Sequence, residues 1–447
     1  MAQRLKSSIM ALVIFLILAI SLGSLYIRNN GPKSVGDYDL HILGTYMVAT
    51  GQLSNDFEND TDNHGIKKMQ IYGPANMVSL KDANFFYEGL VLNPFARSSE
   101  YYKQKESYDQ IPTKKAKALL RTQYPFINWL PQAIGLKIGM LLKVSPWQSW
   151  QMARISNFSL FLILMSIAII IAPFGKWVLT LIGSFPLSLY LASSLSGDAI
   201  NIAISSIFVA YVLSIREKSL DKEKAISIIE IATLMFFTIL MFSLKVAYVP
   251  MLLFILVIPN AYFSFKKKIL SIGSAGLIGV LGYLLWSRKY STVLLNFDSL
   301  SANKEYLLHH IPDAIYSIFT QTLAVPLLFL KNMSSPNDGA NLGFITILFV
   351  IFILVASIII NYQNFVFLND DTLKTRFLVF YPVIIAFLAY FFTIALTQTA
   401  LLATWTQVYP GPGQYDITNI QGFQARYLLP VAPLLLIAYS TSKQYIR

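Results

Sequence analysis

The sequence predicts an all-α, polytopic membrane protein with about ten spanning helices, a large first outer loop and further helices lying along the interface. Three observations predict it. Apolar residues make up 55% of the 447 positions and charged residues only 13%, with a mean hydropathy of +0.55. A soluble core cannot hide that much apolar surface. The apolar residues gather in runs of about 20, the length that crosses a bilayer. Lysine and arginine collect in short clusters between those runs, as they do in cytoplasmic loops. The net charge of +12 follows from that bias and implies a lipid bilayer as partner rather than nucleic acid. The chain has no cysteine, which removes disulfides, thiolate metal sites and cysteine nucleophiles. Four histidines (His41, His64, His309 and His310) offer little for a metal cage.

The first apolar run, 9–27, follows Arg4 and Lys6 and lacks a small-x-small cleavage pattern after it. It reads as an uncleaved anchor with a cytoplasmic N-terminus. The polar stretch 28–123 holds 11 of the 23 acidic residues and reads as an ordered outer loop. Further runs lie at 152–172, 177–195, 199–215, 225–242, 245–262, 270–286, 341–361, 377–399 and 427–441. Basic clusters at 216–224, 266–268, 374–376 and 443–447 set their direction and put both termini in the cytoplasm. An odd number of crossings is then needed between the outer loop and Lys176, and 152–172 supplies one. The stretch 124–143 therefore reads as an interfacial helix, which suits Trp129, its two prolines and Lys137. The run 312–330 reads as a re-entrant or interfacial helix. The chain forms one domain, with 28–150 as the outer loop and 151–447 as the helix bundle. It shows neither an internal repeat nor a low-complexity segment.

Ionisable residues at the edges of these runs are candidates for a site, because charge at membrane depth is costly and normally faces a cavity or a partner. Asp37, Asp39 and His41 follow the first run, Asp198 opens the run at 199, and Lys245 stands at another boundary. Arg154 and Arg288 flank further runs, and Arg426 precedes the last. All but Arg154 fall on the outer side in this topology. Each also has a structural reading. Lysine and arginine at helix ends snorkel to the interface, Asp198 suits a helix N-cap, and Asp37 and Asp39 suit ordinary loop positions. His41 has only His64 near it in sequence, too few for a metal site.

Taken together, the stretches GDYDLHILGTYMVATGQL, YPFINWLPQAIGLKIGMLL with ARISN, SGDAINIAIS, LKVAYVP and QGFQARYLLPVAP resemble the bacterial membrane family known as domain of unknown function 2142. They run from residue 36 to 433. The same order of features is similar to C-type glycosyltransferases (GT-C), in which an acidic residue follows the first span. A Tyr-Pro interfacial helix and an arginine at the next span come after it, as Tyr124, Pro125 and Arg154 do here. The family pattern Asp-Glu-x-x-His appears as Asp37, Tyr38, Asp39, Leu40, His41, with tyrosine at the glutamate position.

The resemblance implies a bacterial plasma-membrane enzyme of inverting type. It would move a sugar from a polyprenyl-phosphate donor to a cell-envelope acceptor: a polysaccharide, a teichoic acid or a glycolipid. Asp37, or Asp39 in its place, is expected to be the catalytic base. His41, Tyr124, Arg154, Asp198, Lys245, Tyr248, Gln421, Arg426 and Tyr427 are expected to bind substrate, with Arg426 and Lys245 on the phosphate. No cofactor is implied, and a divalent metal is optional because arginine and lysine can neutralise a monophosphate. The rival expectation is a transporter or flippase of lipid-linked saccharides, which would show repeat symmetry and broken helices. A non-catalytic assembly subunit is a third.

Overall fold

A computed structural model describes residues 2–32, 35–53, 57–61, 67–74, 77, 115–120, 124–219, 225–290, 298–332, 373–406, 408 and 417–439. The described chain is mostly helical, and five of its helices are long and apolar enough to cross a membrane: Ser8–Asn29, Pro146–Ile171, Asp198–Lys218, Phe265–Arg288 and Tyr381–Thr404. These correspond to five of the ten expected spans. The expected span 341–361 lies outside the described residues.

Helix α1 (Ala2–Asn29) shows the membrane pattern residue by residue. Ala11, Phe15, Ala19 and Tyr26 form a buried stripe at near-fourfold spacing, while Ile9, Val13, Ile17 and Ile20 point outward. An apolar face turned away from the protein suits lipid rather than water. Next comes α2 (Tyr38–Thr50), closed by Gly51 in the left-handed region at φ 70°. The loop beyond holds a feature that the all-α expectation did not include, a three-stranded antiparallel sheet. Its strands are β1 (Phe57–Thr61), β2 (Lys67–Pro74) and β3 (Lys115–Leu120). Met69 faces Leu120 and Pro74 faces Lys115 in its second pairing. Gln52 ties the sheet to the end of α2, accepting from the Tyr72 N–H and donating to the Tyr72 carbonyl at 2.9 and 2.7 Å.

The stretch 124–143 is helical as expected: a 3-10 turn (Phe126–Trp129) leads into α3 (Leu130–Leu141). Pro131 near its start is pre-set for a helix, and its missing N–H would have had no intrahelical partner there. Ile134, Lys137, Ile138 and Leu141 are exposed along one face, while Gly135 and Gly139 press the other against α4 (Pro146–Ile171). A Cβ at Gly135 would strike the Met152 carbonyl, so the contact is available only to glycine. A capping box opens α4, with Ser145 and Gln148 bonding each other's backbone N–H.

The run 177–195, expected as one helix, is two: α5 (Lys176–Ser184) and α6 (Pro186–Ala192). The break is at Phe185, whose ψ of 133° is what a residue before proline adopts. Helix α7 (Asp198–Lys218) runs through the centre of the bundle, with Ile202, Ala203, Phe208, Val209 and Leu213 fully buried. Next, α8 (Ile228–Leu244) stops at Lys245, whose backbone is extended (φ −147°, ψ 109°). A 3-10 helix, 246–257, continues beyond it with Pro250 inside. Helix α9 (Phe265–Tyr290) is mostly exposed and apolar, again facing outward. Asp298–His309 (α10), Ile311–Asn332 (α11) and Leu373–Thr404 (α12) follow. The expected last span, 427–441, is represented by two short 3-10 pieces, Ala425–Leu428 and Ala432–Tyr439. Pro430 and Pro433, in and after the gap between them, cannot both sustain a regular α-helix.

Candidate functional site

Four charged residues from distant parts of the chain meet at helix ends. Asp37 precedes α2, Asp198 opens α7, Lys245 stands where α8 stops, and Arg426 sits in the 3-10 turn Ala425–Leu428. Each acid lies at a helix N-terminus, where the macrodipole favours negative charge, and Lys245 lies at a C-terminus, where it favours positive charge. Lys245 also precedes the 3-10 helix, whose opposite pole offsets part of that benefit.

The contacts form a chain of alternating sign. Asp37 Oδ2 accepts from Arg426 Nη2 at 2.6 Å. Arg426 Nε lies 3.2 Å from Asp198 Oδ2, close enough for an ion pair but not aligned for a hydrogen bond. Asp198 Oδ1 lies 3.6 Å from Lys245 Nζ. The side chains of Arg426, Lys245 and Asp198 are only 9%, 11% and 12% exposed, whereas Asp37 is 51% exposed. Asp37 is also held in the left-handed region (φ 58°, ψ 31°), where Asp is one of the few non-glycine residues found with any frequency. Burial disfavours the Arg426 charge, but Asp198, with Tyr427 and Asp37 after it, outweighs that, so the guanidinium is held firmly protonated.

Tyrosines surround the buried ammonium. Lys245 Nζ lies 4.2 Å from the Tyr427 ring centre, 5.5 Å from Tyr124 and 5.6 Å from Tyr248, a cation–π enclosure. The same Tyr427 ring lies 5.7 Å from the Arg426 guanidinium carbon. The Tyr248 hydroxyl is buried with no hydrogen-bond partner among the described residues. His41, in the first turns of α2, accepts from Trp129 Nε1 at 3.2 Å through Nδ1, which leaves Nε2 as the donor. Burial drives its pKa down to about 4, with Asp198 and Asp37 opposing and Arg426 and Lys245 assisting, so the ring is neutral at pH 7.

A buried amide network fixes these elements. Asn128 donates to the Leu244 carbonyl at 2.7 Å, just before Lys245, and to the Pro125 carbonyl at 3.1 Å, just after Tyr124. Asn157 holds the loop before Asp198 through the carbonyls of Ala192, Ser194 and Ser196. Gln132 reaches Leu195 and Ser196 from α3, and Asn201 reaches back to Gly197. Sequence reasoning missed this layer. Asn128, Asn157 and Asn201 were visible only as amides inside apolar segments, the one signal that pointed to them.

Of the expected site residues, the structure brings Asp37, His41, Tyr124, Asp198, Lys245, Tyr248, Arg426 and Tyr427 together. Arg154 has a different setting. It is buried and donates to the carbonyls of Tyr26, Ile27, Asn30 and Ser193 and to Gln151, tying the end of α1 to the loop that carries Asp198. Gln421 is tied to Thr406 and Asn419. Asp39 lies in the first turn of α2, and its side chain is outside the described residues. Asp198 does not cap its helix as a simple N-cap would; Gly197 takes that position and the carboxylate faces the cations. Lys245 and Arg426 do not snorkel, whereas Arg288 is exposed as a snorkelling residue should be. Among the described residues, no three histidine or acidic side chains gather in a metal-binding group.

No curated protein and no solved structure matches the chain. One family model, described as Predicted membrane protein (DUF2142), matches residues 9–435, almost the whole length. The site's residues all fall within that match, and the chain belongs to this family of membrane proteins.

Proposed function

We propose that this protein is an inverting, GT-C-type membrane glycosyltransferase. It takes a sugar from a polyprenyl-phosphate donor and delivers it to an envelope polysaccharide, teichoic acid or glycolipid outside the cytoplasm. The observation that carries this reading is the half-exposed Asp37 carboxylate standing against buried Arg426, with Asp198 and Lys245 behind it. A base and two cations side by side suit a reaction that removes a proton at one end and releases a phosphate at the other.

In that reaction Asp37 accepts the proton of the acceptor hydroxyl as its oxygen attacks the anomeric carbon. The bond from that carbon to the phosphate oxygen breaks, its electron pair leaves with the polyprenyl phosphate, and configuration inverts. Arg426 and Lys245 balance the charge on the departing phosphate in a largely dry setting. The tyrosines offer hydroxyls to sugar or phosphate. In this reading the N-terminus is cytoplasmic, 28–123 is outside, and α2 and α3 lie at the outer interface of a bacterial plasma membrane.

The second reading is a transporter of lipid-linked saccharides. The helix interruptions at Phe185–Pro186 and Lys245 favour it, because transporters place broken-helix ends at their substrate sites. Comparing surface glycans of a deletion strain carrying the wild-type gene or Asp37→Asn separates the two. A transferase deficient in its base loses one decoration while the underlying polymer persists. Loss of the whole polymer with accumulation of its lipid-linked precursor would favour transport.

A further inference from the structure

We infer that the Asp37 carboxylate occupies the place on Arg426 that the donor phosphate takes in the transferase reading. The inference rests on the transferase reading and adds an exchange: the donor phosphate displaces Asp37 from Arg426, and by doing so frees the base.

The geometry of Arg426 points to this. A guanidinium fork binds one carboxylate or phosphate through two parallel bonds when it can. Here it is divided between two carboxylates from different helices, 2.6 Å to Asp37 and 3.2 Å to Asp198, the latter out of line. The two acids are not equally held. Asp198 is buried, its other oxygen faces Lys245, and its loop is fixed by Asn157 and Gln132. Asp37 is half in solvent at a left-handed turn before α2, and a rotation of its side chain moves it into water. Of the two, Asp37 is the one that can leave.

Charge arithmetic agrees. Asp37 and Asp198 cancel Lys245 and Arg426, and His41 is neutral, so an incoming anion meets a site with no net attraction. Once Asp37 turns outward, the remaining three carry one net positive charge beside Tyr427 and the Tyr248 hydroxyl, which has no hydrogen-bond partner among the described residues. That suits a phosphate ester with its sugar against the tyrosines.

The test is binding of a polyprenyl monophosphate, and separately of inorganic phosphate, to the purified full chain in nanodiscs. Wild type, Asp37→Asn, Asp37→Glu and Arg426→Lys are compared. Removing the competing carboxylate should tighten binding about fivefold, the equivalent of a partly exposed ion pair. Asp37→Glu keeps the competitor and should bind like wild type, and Arg426→Lys, which loses the fork, should bind more weakly. Asp37 is half-exposed and asparagine tolerates the left-handed backbone as aspartate does, so Asp37→Asn folds, and its comparison with wild type depends on neither the Asp37→Glu nor the Arg426 variant. The same order with inorganic phosphate shows that the head group alone is recognised; the order with the lipid only shows that the chain is needed. Asp37→Asn binding no tighter than wild type overturns the exchange while leaving a lipid-phosphate site in place. Phosphate bound in the expected order with no binding of the lipid would keep the anion site and overturn the polyprenyl donor. Failure of both probes to bind wild type and Asp37→Asn overturns both proposals.

Discussion

Trp129 Nε1–H donates to His41 Nδ1, and the burial of that imidazole makes the corner around α2 sensitive to acid. The folded His41 has a pKa of about 4, well below the ordinary 6.5, so the unfolded chain takes up its proton first. The stability it contributes is therefore complete above about 6.5 and is lost as pH falls toward 4. The melting temperature in detergent should drop between pH 7 and pH 5, and His41→Gln, which keeps an acceptor without titrating, should drop less. Equal slopes for the two proteins would remove His41 as the cause. Asn128 makes a second prediction at this scale. Asn128→Ala leaves the buried Leu244 carbonyl without its side-chain donor, a cost of about 1–3 kcal/mol. Thermal unfolding should register it, and a variant as stable as wild type would mean that water takes over the bond. Asp37, Asp198, Lys245 and Arg426 were legible in the sequence because charge beside an apolar run is conspicuous. Their pairing was not, since Asp37 and Arg426 stand 389 positions apart. Arg154 looked equivalent to Arg426, and only the fold distinguishes an arginine tied to helix-end carbonyls from one held by carboxylates.

At the scale of elements, apolar length predicted where helices lie better than where they stop. The runs 9–27, 152–172, 199–215, 270–286 and 377–399 became continuous helices because nothing inside them opposes one strongly enough. Even Pro382 within α12 is accommodated. The runs 177–195, 245–262 and 427–441 broke or became 3-10, and each contains proline at or near the irregularity. Lys245 was placed at such a boundary from sequence, and the extended backbone there is what aims it at Asp198. The sheet was invisible for another reason: β2 and β3 pair across some 40 intervening residues, and their short, mixed segments carry no clear alternation. Close approach of α3 and α4 gives an element-scale test. Gly135→Ala forces a methyl into the Met152 carbonyl and should cost about 1–3 kcal/mol, read as a lower melting temperature. Gly273→Ala in α9 meets nothing within 4 Å among the described residues and should be neutral or slightly stabilising. If both behave alike, the two helices do not pack through that glycine.

For the whole molecule, an outward-facing transferase requires that the charged cluster face the outside. The chain has no cysteine, so single cysteines report topology cleanly. An impermeant thiol reagent added to intact cells should label Lys137→Cys and leave Ser219→Cys unlabelled until the membrane is opened. The reverse pattern would turn the cluster toward the cytoplasm and rule out an outward-facing transferase. In the proposed reaction Asp37 is the base for sugar transfer. The most direct test is transfer of a labelled sugar from polyprenyl phosphate to envelope acceptor by the purified protein in vesicles, with wild type, Asp37→Asn and Asp39→Asn compared. Loss of a general base lowers rate by about 10²–10⁴-fold, and that fall is predicted for Asp37→Asn, with a milder one for Asp39→Asn. Full activity in Asp37→Asn would contradict the account, and if Asp39→Asn were then inactive the base would be Asp39.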